Sequence, residues 1–357
     1  MCLRLLLLVG GLLLGPCWNA ALAGPTGQAA TPVVSAHRGG AAYAPENTML
    51  AFRNAVRLGV DELETDVQLT RDGQLVLLHD DTLDRTTNCT GALADRSWAE
   101  VARCDPGYWW SPGPSQTVRA AHAPHPLRGT GVRLPRLADL LGYVRGLGSR
   151  APRLSIEIKD IPGEANFDPV GTTVATALVT ALQRSGVPHD RLLVQSFFPT
   201  PLETVKRLDP RLRTQFLTSS PTGQPALAGL AYVTARGHNV MAPESTAPDL
   251  TAQVVAAAHT AGRQVFTYTP DTERALRAAR VLGVDGLITN RPACLLRLLG
   301  RPVPARLGPV GGVTACEGDR TTTGLADRPG MQYPQQLGNV STCAQFRPRR
   351  GCAAPSP

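Results

Sequence analysis

Two short segments space charged side chains two residues apart. In ELETD, Glu64 and Asp66 alternate with Leu63 and Thr65, and in SIEIK, Glu157 and Lys159 flank Ile158. On a strand, residues i and i+2 face the same side. Glu64 and Asp66 therefore project together, and so do Glu157 and Lys159. Two carboxylates side by side repel unless a cation lies between them, and hard divalent ions such as Mg2+ or Ca2+ prefer oxygen ligands. Glu157 could complete such a site from a second strand. Paired acids more often decorate a solvated strand edge, but these lie in an apolar strand context. His37 follows PVVSA and His79 follows QLVLL, so each histidine ends a β-like run. One strand-end histidine is usually structural; two beside three acids point to proton transfer next to a metal.

The elements that must position these groups alternate along the chain. PVVSAH, DELETDVQLT, QLVLLHD, RLSIEIK, RLLVQSF, RTQFLT, RQVFTYT and DGLITN read as strands. Helical stretches such as NTMLAFRNAVRLG, DPVGTTVATALVTALQRSG and DLTAQVVAAAHTAG separate them. Repeated strand-helix alternation predicts a parallel sheet. The number of units favours an α/β fold of the (β/α)8 TIM-like barrel type, in which functional groups gather at the C-terminal ends of the strands. Residues 83–135, rich in Gly, Pro, Trp and Ser, break the rhythm and read as an insertion after the second or third β-like segment. From residue 301 the pattern fails again, and an irregular, Cys-containing, disulfide-rich C-terminal tail is expected over 301–357. The barrel is thus expected over 33–300, after a spacer at 24–32.

The segments HRGGAAYAPENTMLAF from His37 and ELETDVQLTRDGQLVLLHDDTLDRTT from Glu62 closely resemble the glycerophosphodiester phosphodiesterase signature. SIEIK, QSF and GLITNRP are similar to later landmarks of that family, so the resemblance runs from about Val33 to Pro292. It implies a barrel with His37 and His79 as the general acid/base pair, and Glu64, Asp66 and Glu157 as ligands of one divalent cation, Ca2+ or Mg2+. It further implies that Arg38 and Lys159 bind phosphate and that Glu46 and Asn47 of PENT complete the pocket. The chain departs from the family at Tyr268, where Trp is frequent, and at Asn290, where Asp is common. Both departures bear on substrate shape.

These roles make chemical sense together. A phosphodiester is anionic and repels nucleophiles, so a metal with Arg38 and Lys159 would neutralise the transferring oxygens. The attacking oxygen must lose a proton and the leaving alcohol must gain one, which two histidines can serve near neutral pH. The expected course is attack by the neighbouring glycerol hydroxyl, giving a cyclic phosphate that water opens; direct water attack is the alternative. The expected reaction is hydrolysis of a small-molecule glycerophosphodiester to glycerol phosphate and an alcohol. The competing enzyme reading is a phosphodiesterase or phospholipase D-like enzyme acting on lysophospholipid or a glycerol-phosphate wall polymer. A non-catalytic surface-binding barrel predicts loss of a key position, and none is missing.

The N-terminal run MCLRLLLLVGGLLLG, followed by Ala21-Leu22-Ala23, reads as a signal peptide over 1–23. The run is too short for a spanning helix, so no stable membrane anchor is expected. The chain is therefore expected to be secreted or extracytoplasmic. Cleavage would leave Cys89, Cys104, Cys294, Cys316, Cys343 and Cys352, an even number that favours disulfides over metal ligation in an exported chain. Cys89 and Cys104 would close a short loop, and the pairing of the other four stays open. An apolar fraction of 43% and a charged fraction of 18% exclude wholesale disorder. The formal charge of +8 comes without a dense basic block, so no nucleic-acid partner is expected. His122 and His125 lack neighbouring acids or thiols and read as a solvated loop. Tyr108, Trp98, Trp109 and Trp110 read as packing within the insertion, and Asn88 and Asn339 are sequons.

Overall fold

The computed structural model describes residues 31–112, 124–168, 170–218, 223–307 and Cys316. The expected signal peptide, most of the spacer, His122, Asn339, Cys343 and Cys352 lie outside the described residues.

Among the described residues nine strands form: β1 Val33–Ala36, β2 Glu62–Leu69, β3 Leu75–Leu77, β4 Arg153–Ile158, β5 Leu192–Ser196, β6 Arg213–Thr218, β7 Val240–Pro243, β8 Gln264–Tyr268 and β9 Gly286–Thr289. Eight run parallel, in the order β1-β9-β8-β7-β6-β5-β4-β2, and pairing of β1 with β2 closes the barrel. The strand β3 pairs antiparallel with β2, Val67 facing Leu77. It is the return arm of a hairpin, not a stave. The eighth stave is β7, a four-residue VMAP run that the strand pattern of the sequence did not single out.

Helices return the chain between staves: α1 Met49–Leu58, α2 Trp98–Val101 in the insertion, α3 Leu137–Gly146, α4 Thr173–Ser185, α5 Pro199–Leu208, α6 Ala226–Arg236, α7 Ala252–Thr260, α8 Glu273–Val281 and α9 Pro292–Leu298. The start of α1 shows the local logic. The Thr48 hydroxyl accepts from the Ala51 N–H, and Gly59 at φ 74° ends the helix in the left-handed region, two ordinary cap devices. The alternating face of each stave that looks outward, such as Leu63, Val67, Leu154, Ile156 and Val194, packs with these helices into one continuous buried layer.

The barrel interior is divided. Leu193, Leu217, Val240, Ala242, Phe266 and Ile288 form a buried apolar cluster on the β5–β9 side. Gly286 is required there, because a Cβ would lie 2.6 Å from the Phe266 ring. Across β2, β4 and the adjoining positions of β5 and β6 the interior is polar: Glu62, Glu64, Asp66, Glu157, Gln195 and Gln215 are all buried. Toward the N-terminal end Glu62 meets Arg153 at 3.5 Å, so the carboxylates that could do chemistry are those nearer the strand C-terminal ends.

Two disulfides are present among the described residues. Cys89–Cys104 closes the start of the insertion, and Cys294–Cys316 ties the segment after α9 back to that helix. Trp110 is buried and donates from Nε1 to Ala41 O at 3.2 Å, anchoring the insertion on the β1–α1 loop. His125 differs from the expected solvated loop. Its ring stands edge-on to Trp109 at 5.9 Å and its Nδ1 lies 3.2 Å from Trp110 O, because the flanking aromatics supply an apolar surface to cover.

Candidate active site

The hairpin and the first barrel turns bring the chemistry together. The chain leaves β1 in a single 3-10 turn, His37–Gly39, with Arg38 at φ 51° and Gly39 at φ 82°. Gly39 admits no side chain, since a Cβ would sit 2.7 Å from that of Ala51. The turn is therefore pressed onto α1. Register completes the carboxylate set: Asp66 of β2 lies opposite Glu157 of β4, and Glu157 opposite Gln195 of β5. Further along β2, the Gln68 amide donates to the carbonyls of His79 and Asp80 at 2.9 and 2.6 Å. One strand thus carries two acids and pins the loop that holds the second histidine.

Carboxylate oxygens of Glu64, Asp66 and Glu157 converge within 4.8 Å of one another. Glu64 receives the Arg38 backbone N–H at 2.7 Å and the Gln195 amide at 2.9 Å, and Gln215 in turn donates to Gln195 at 2.6 Å. Asn47, itself at φ 57°, donates to Asp66 Oδ2 at 2.9 Å and accepts from the Thr65 hydroxyl at 2.8 Å. Lys159 Nζ sits 2.7 Å from Glu157 and 3.5 Å from Asp66. Asp66 Oδ1 is buried, and the charge facing it is Lys159 Nζ at 3.5 Å, outside hydrogen-bond geometry. The acids fit a hard divalent cation, because three buried carboxylates each turn an oxygen donor to one point.

The electrostatics say the same. Burial, and then Asp66 and Glu157, push the Glu64 carboxyl well above its usual range. Burial raises Glu157 to about 7, with Lys159 opposing the rise. Burial works against Asp66 as well, but Lys159 and Arg38 outweigh it and hold that carboxyl low. Like-charged acids sharing a dry site cannot all ionise unaided.

Both histidines stand beside this cluster. His37 Nδ1 lies 2.8 Å from Asn290 Oδ1, and its Nε2 is 3.9 Å from Glu64. Asn290 is oriented by Asp271, which accepts from its side-chain amide at 2.7 Å and from its backbone N–H at 2.9 Å. His79 Nδ1 lies 2.7 Å from Asp80 Oδ1. Burial, followed by the charge of Arg38, lowers His37 to about 3, and burial with Arg38 and Lys159 takes His79 well below its ordinary value. Both rings are neutral near pH 7 in the free site.

A match to the family model described as the glycerophosphoryl diester phosphodiesterase family spans residues 37–294. The chain belongs to this family. A Bacillus altitudinis glycerophosphodiester phosphodiesterase is 30% identical over 263 residues, covering 72% of this chain and 94% of that protein. A solved structure from Silicibacter pomeroyi DSS-3, assigned to the glycerophosphoryl diester phosphodiesterases, superposes with a TM-score of 0.66 at 27% identity. It covers 77% of this chain and 96% of the other. An Oleispira antarctica phosphodiesterase, solved with its product sn-glycerol-3-phosphate, shares the fold at 23% identity and a TM-score of 0.61, covering 76% and 97% of the two chains.

The expected acid–base, metal-ligating and phosphate-binding residues His37, Arg38, Glu46, Asn47, Glu64, Asp66, His79, Glu157 and Lys159 are brought together toward the C-terminal ends of the first staves of the glycerophosphodiesterase barrel. Sequence reasoning missed residues that hold them, among them Gln68, Asp80, Arg85, Gln195, Gln215 and Asp271. Asp80 and Gln195 stand inside the HDD and QSF segments, so their motifs were visible although their roles were not. Arg85 stands in the DRTT end of the quoted HDDTLDRTT stretch, so it too was visible in its motif and not in its role, whereas Asp271 follows β8, where no strand period marks direction. At the other departure from the family pattern, the Tyr268 hydroxyl donates to Thr218 O at 2.6 Å, and its ring stands edge-on to Phe197 at 5.7 Å. The mouth thus has an aromatic wall facing the charged one.

Proposed function

We propose that this family member is an extracytoplasmic, divalent-cation-dependent enzyme that hydrolyses glycerophosphodiesters to glycerol phosphate and an alcohol, using His37 and His79 for proton transfer. The observation that carries the reading is the placement of two imidazoles beside a buried Glu64–Asp66–Glu157 cluster flanked by Arg38 and Lys159. A Ca2+ or Mg2+ ion held by those three acids would supply Lewis-acid charge for a phosphoryl oxygen. Arg38 and Lys159 bind the remaining phosphate charge.

The partners of the two rings divide the proton work. Asn290 Oδ1 and Asp80 Oδ1 both accept from Nδ1–H, which leaves Nε2 of each ring for substrate. Asn290 Oδ1 holds the His37 proton on Nδ1 and leaves Nε2 unprotonated, so His37 takes the proton from the attacking glycerol hydroxyl. Burial with Arg38 and Lys159 keeps His79 neutral in the free site; a phosphodiester bound between the two cations offsets their charge, and with the Asp80 carboxylate on Nδ1 the ring takes up a solvent proton on Nε2. His79 then delivers a proton to the leaving alcohol as the P–O bond breaks. In the second half the roles reverse: water loses a proton to His79 and opens the cyclic phosphate, and His37 returns a proton to the glycerol oxygen.

Export is supported by the leader-like first 23 residues and by the two disulfides, which persist in oxidising compartments. A lipid-directed alternative is favoured by one feature, a groove of about 750 Å³ whose lining includes Met49, Leu50, Trp98, Leu127 and Leu134, beginning two residues after Asn47. The deciding assay supplies Mg2+ or Ca2+ and compares glycerophosphocholine, lysophosphatidylcholine and a glycerol-phosphate polymer, with products identified. Choline release from glycerophosphocholine is expected to dominate. No hydrolysis of any diester with either ion would sink the proposal.

A further inference from the structure

Arg85 lies outside the cluster of acids and makes no use of its charge toward a substrate phosphate. Its guanidinium is consumed on both sides by carboxylates. Nε and Nη2 donate to Asp80 at 2.7 and 2.8 Å, while Nη1 and Nη2 donate to Glu46 at 2.8 and 2.7 Å. The fork is thus bidentate twice, which only a planar guanidinium can achieve. Glu46 and Asp80 are otherwise occupied by functional groups: Glu46 Oε1 also accepts from Arg38 Nη1 at 2.8 Å, and Asp80 Oδ1 also accepts from His79 Nδ1 at 2.7 Å. A continuous chain therefore runs His79–Asp80–Arg85–Glu46–Arg38, joining a proton-transfer ring to a phosphate-binding cation.

We infer that Arg85 is a positioning residue that acts through Asp80 on His79, holding the ring in the tautomer and orientation that present Nε2 to the substrate. Glu46 serves as its fixed point. Glu46 is only 4% exposed and is anchored beside α1, whereas Asp80 belongs to the loop after the hairpin. Without Arg85 the Asp80 carboxylate would keep its contact with His79 but lose its side-chain link to Glu46, leaving the loop held only through its backbone carbonyls by Gln68. Asp80 would be free to turn toward Lys159 or solvent, and His79 would follow it. A second-sphere partner of this kind typically matters by about 10–100-fold.

The inference rests on the reading of His79 as a proton-transfer group, and the test separates the two. With full-length protein, Mg2+ and glycerophosphocholine, Arg85→Ala is expected to lower kcat about 10–100-fold while KM changes little, and added guanidinium should restore part of the rate. His79→Ala and the double variant His79→Ala/Arg85→Ala should share one residual rate, because groups that act as a unit are not additive. A wild-type rate in Arg85→Ala, or a loss that multiplies independently onto that of His79→Ala, overturns the inference. Full activity in His79→Ala overturns the acid–base reading itself. Arg85→Lys keeps the charge but not the double fork, so it is expected to fall short of wild type in kcat with an unchanged melting temperature. Should Arg85→Ala fail to fold, full activity in Arg85→Lys overturns the proposal on its own.

Discussion

His37 reaches Asn290 at 2.8 Å through Nδ1, and the far side of the same amide is held by Asp271. The order of partners matters. Because the Asn290 nitrogen is committed to Asp271, its oxygen is the atom that faces His37, and the imidazole proton is held on Nδ1. A neutral amide here orients the ring without placing a second charge beside it.

Asn290→Leu removes both contacts at similar volume and is expected to lower kcat by roughly 10–100-fold with little change in KM, since Asn290 does not touch the phosphate-binding cations. Asn290→Asp keeps an acceptor for His37 but sets a carboxylate against Asp271, where one of the two must stay protonated. The exchange variant Asn290→Asp/Asp271→Asn restores one amide and one carboxylate. Steady-state kinetics should show the exchange variant more active than Asn290→Asp alone; equal activities would show that the contact does not orient His37.

Removal of the divalent cation should be visible without turnover. A ligand that binds only the folded state adds about 2.7 kcal/mol of stability at a hundredfold excess over its Kd. Thermal melts of the wild type should therefore rise on addition of Mg2+ or Ca2+ and fall with a chelator. Glu64→Gln keeps the packing and removes one charged donor. Its melting temperature is expected to exceed that of the wild type in chelator, because one of three crowded acids is gone, and to respond weakly to either ion. An undiminished ion response in Glu64→Gln would exclude Glu64 from the metal site.

The barrel and much of this site were legible because strand alternation has a period of two: one β-period placed Glu64 with Asp66 and another placed Glu157 with Lys159. The count of eight strands was right for a mixed reason. QLVLL looks like a stave but is held antiparallel by the tight turn at Gly73, while VMAP, short and closed by a proline, carries too little pattern to be seen. Asp271 and Arg85 escaped because their partners lie 19 and 39 residues away, on segments without period. Gln195 escaped because its ligand, Glu64, is 131 residues distant. Hydrogen bonds of such separation are products of barrel closure and leave no local signature.

The Cys89–Cys104 bridge spans 15 residues and closes a loop whose removal from the unfolded ensemble is worth about 3 kcal/mol in the chain-entropy account. The covered segment packs a satellite core of Leu83, Leu93, Val101 and Leu134 beside the hairpin. Cys89→Ser/Cys104→Ser should therefore loosen the insertion ahead of the barrel. Limited proteolysis is expected to cut within 83–112 first, with kcat reduced because Arg85 and Asp80 border the same segment. Cleavage rates equal to wild type would show that the satellite core stands without the bridge.

Acid sensitivity of the fold should trace in part to His238, which lies far in sequence from the catalytic groups. It is 1% exposed, its Nδ1 lies 2.9 Å from the Thr214 hydroxyl, and its Nε2 lies 3.1 Å from the Tyr232 hydroxyl. Burial, helped by Lys206, Arg236 and Arg263, lowers its pKa to about 4, against about 6.5 in an unfolded chain. Between these values the unfolded state binds more protons than the folded state, so stability falls as pH drops from 6.5 toward 4. The full loss is of order 3 kcal/mol. His238→Gln retains a donor and an acceptor but does not titrate. Urea unfolding at about pH 7 and about pH 4.5 should show a smaller acid-induced loss in His238→Gln than in wild type, and identical losses would show that His238 is protonated in the folded protein at the lower pH.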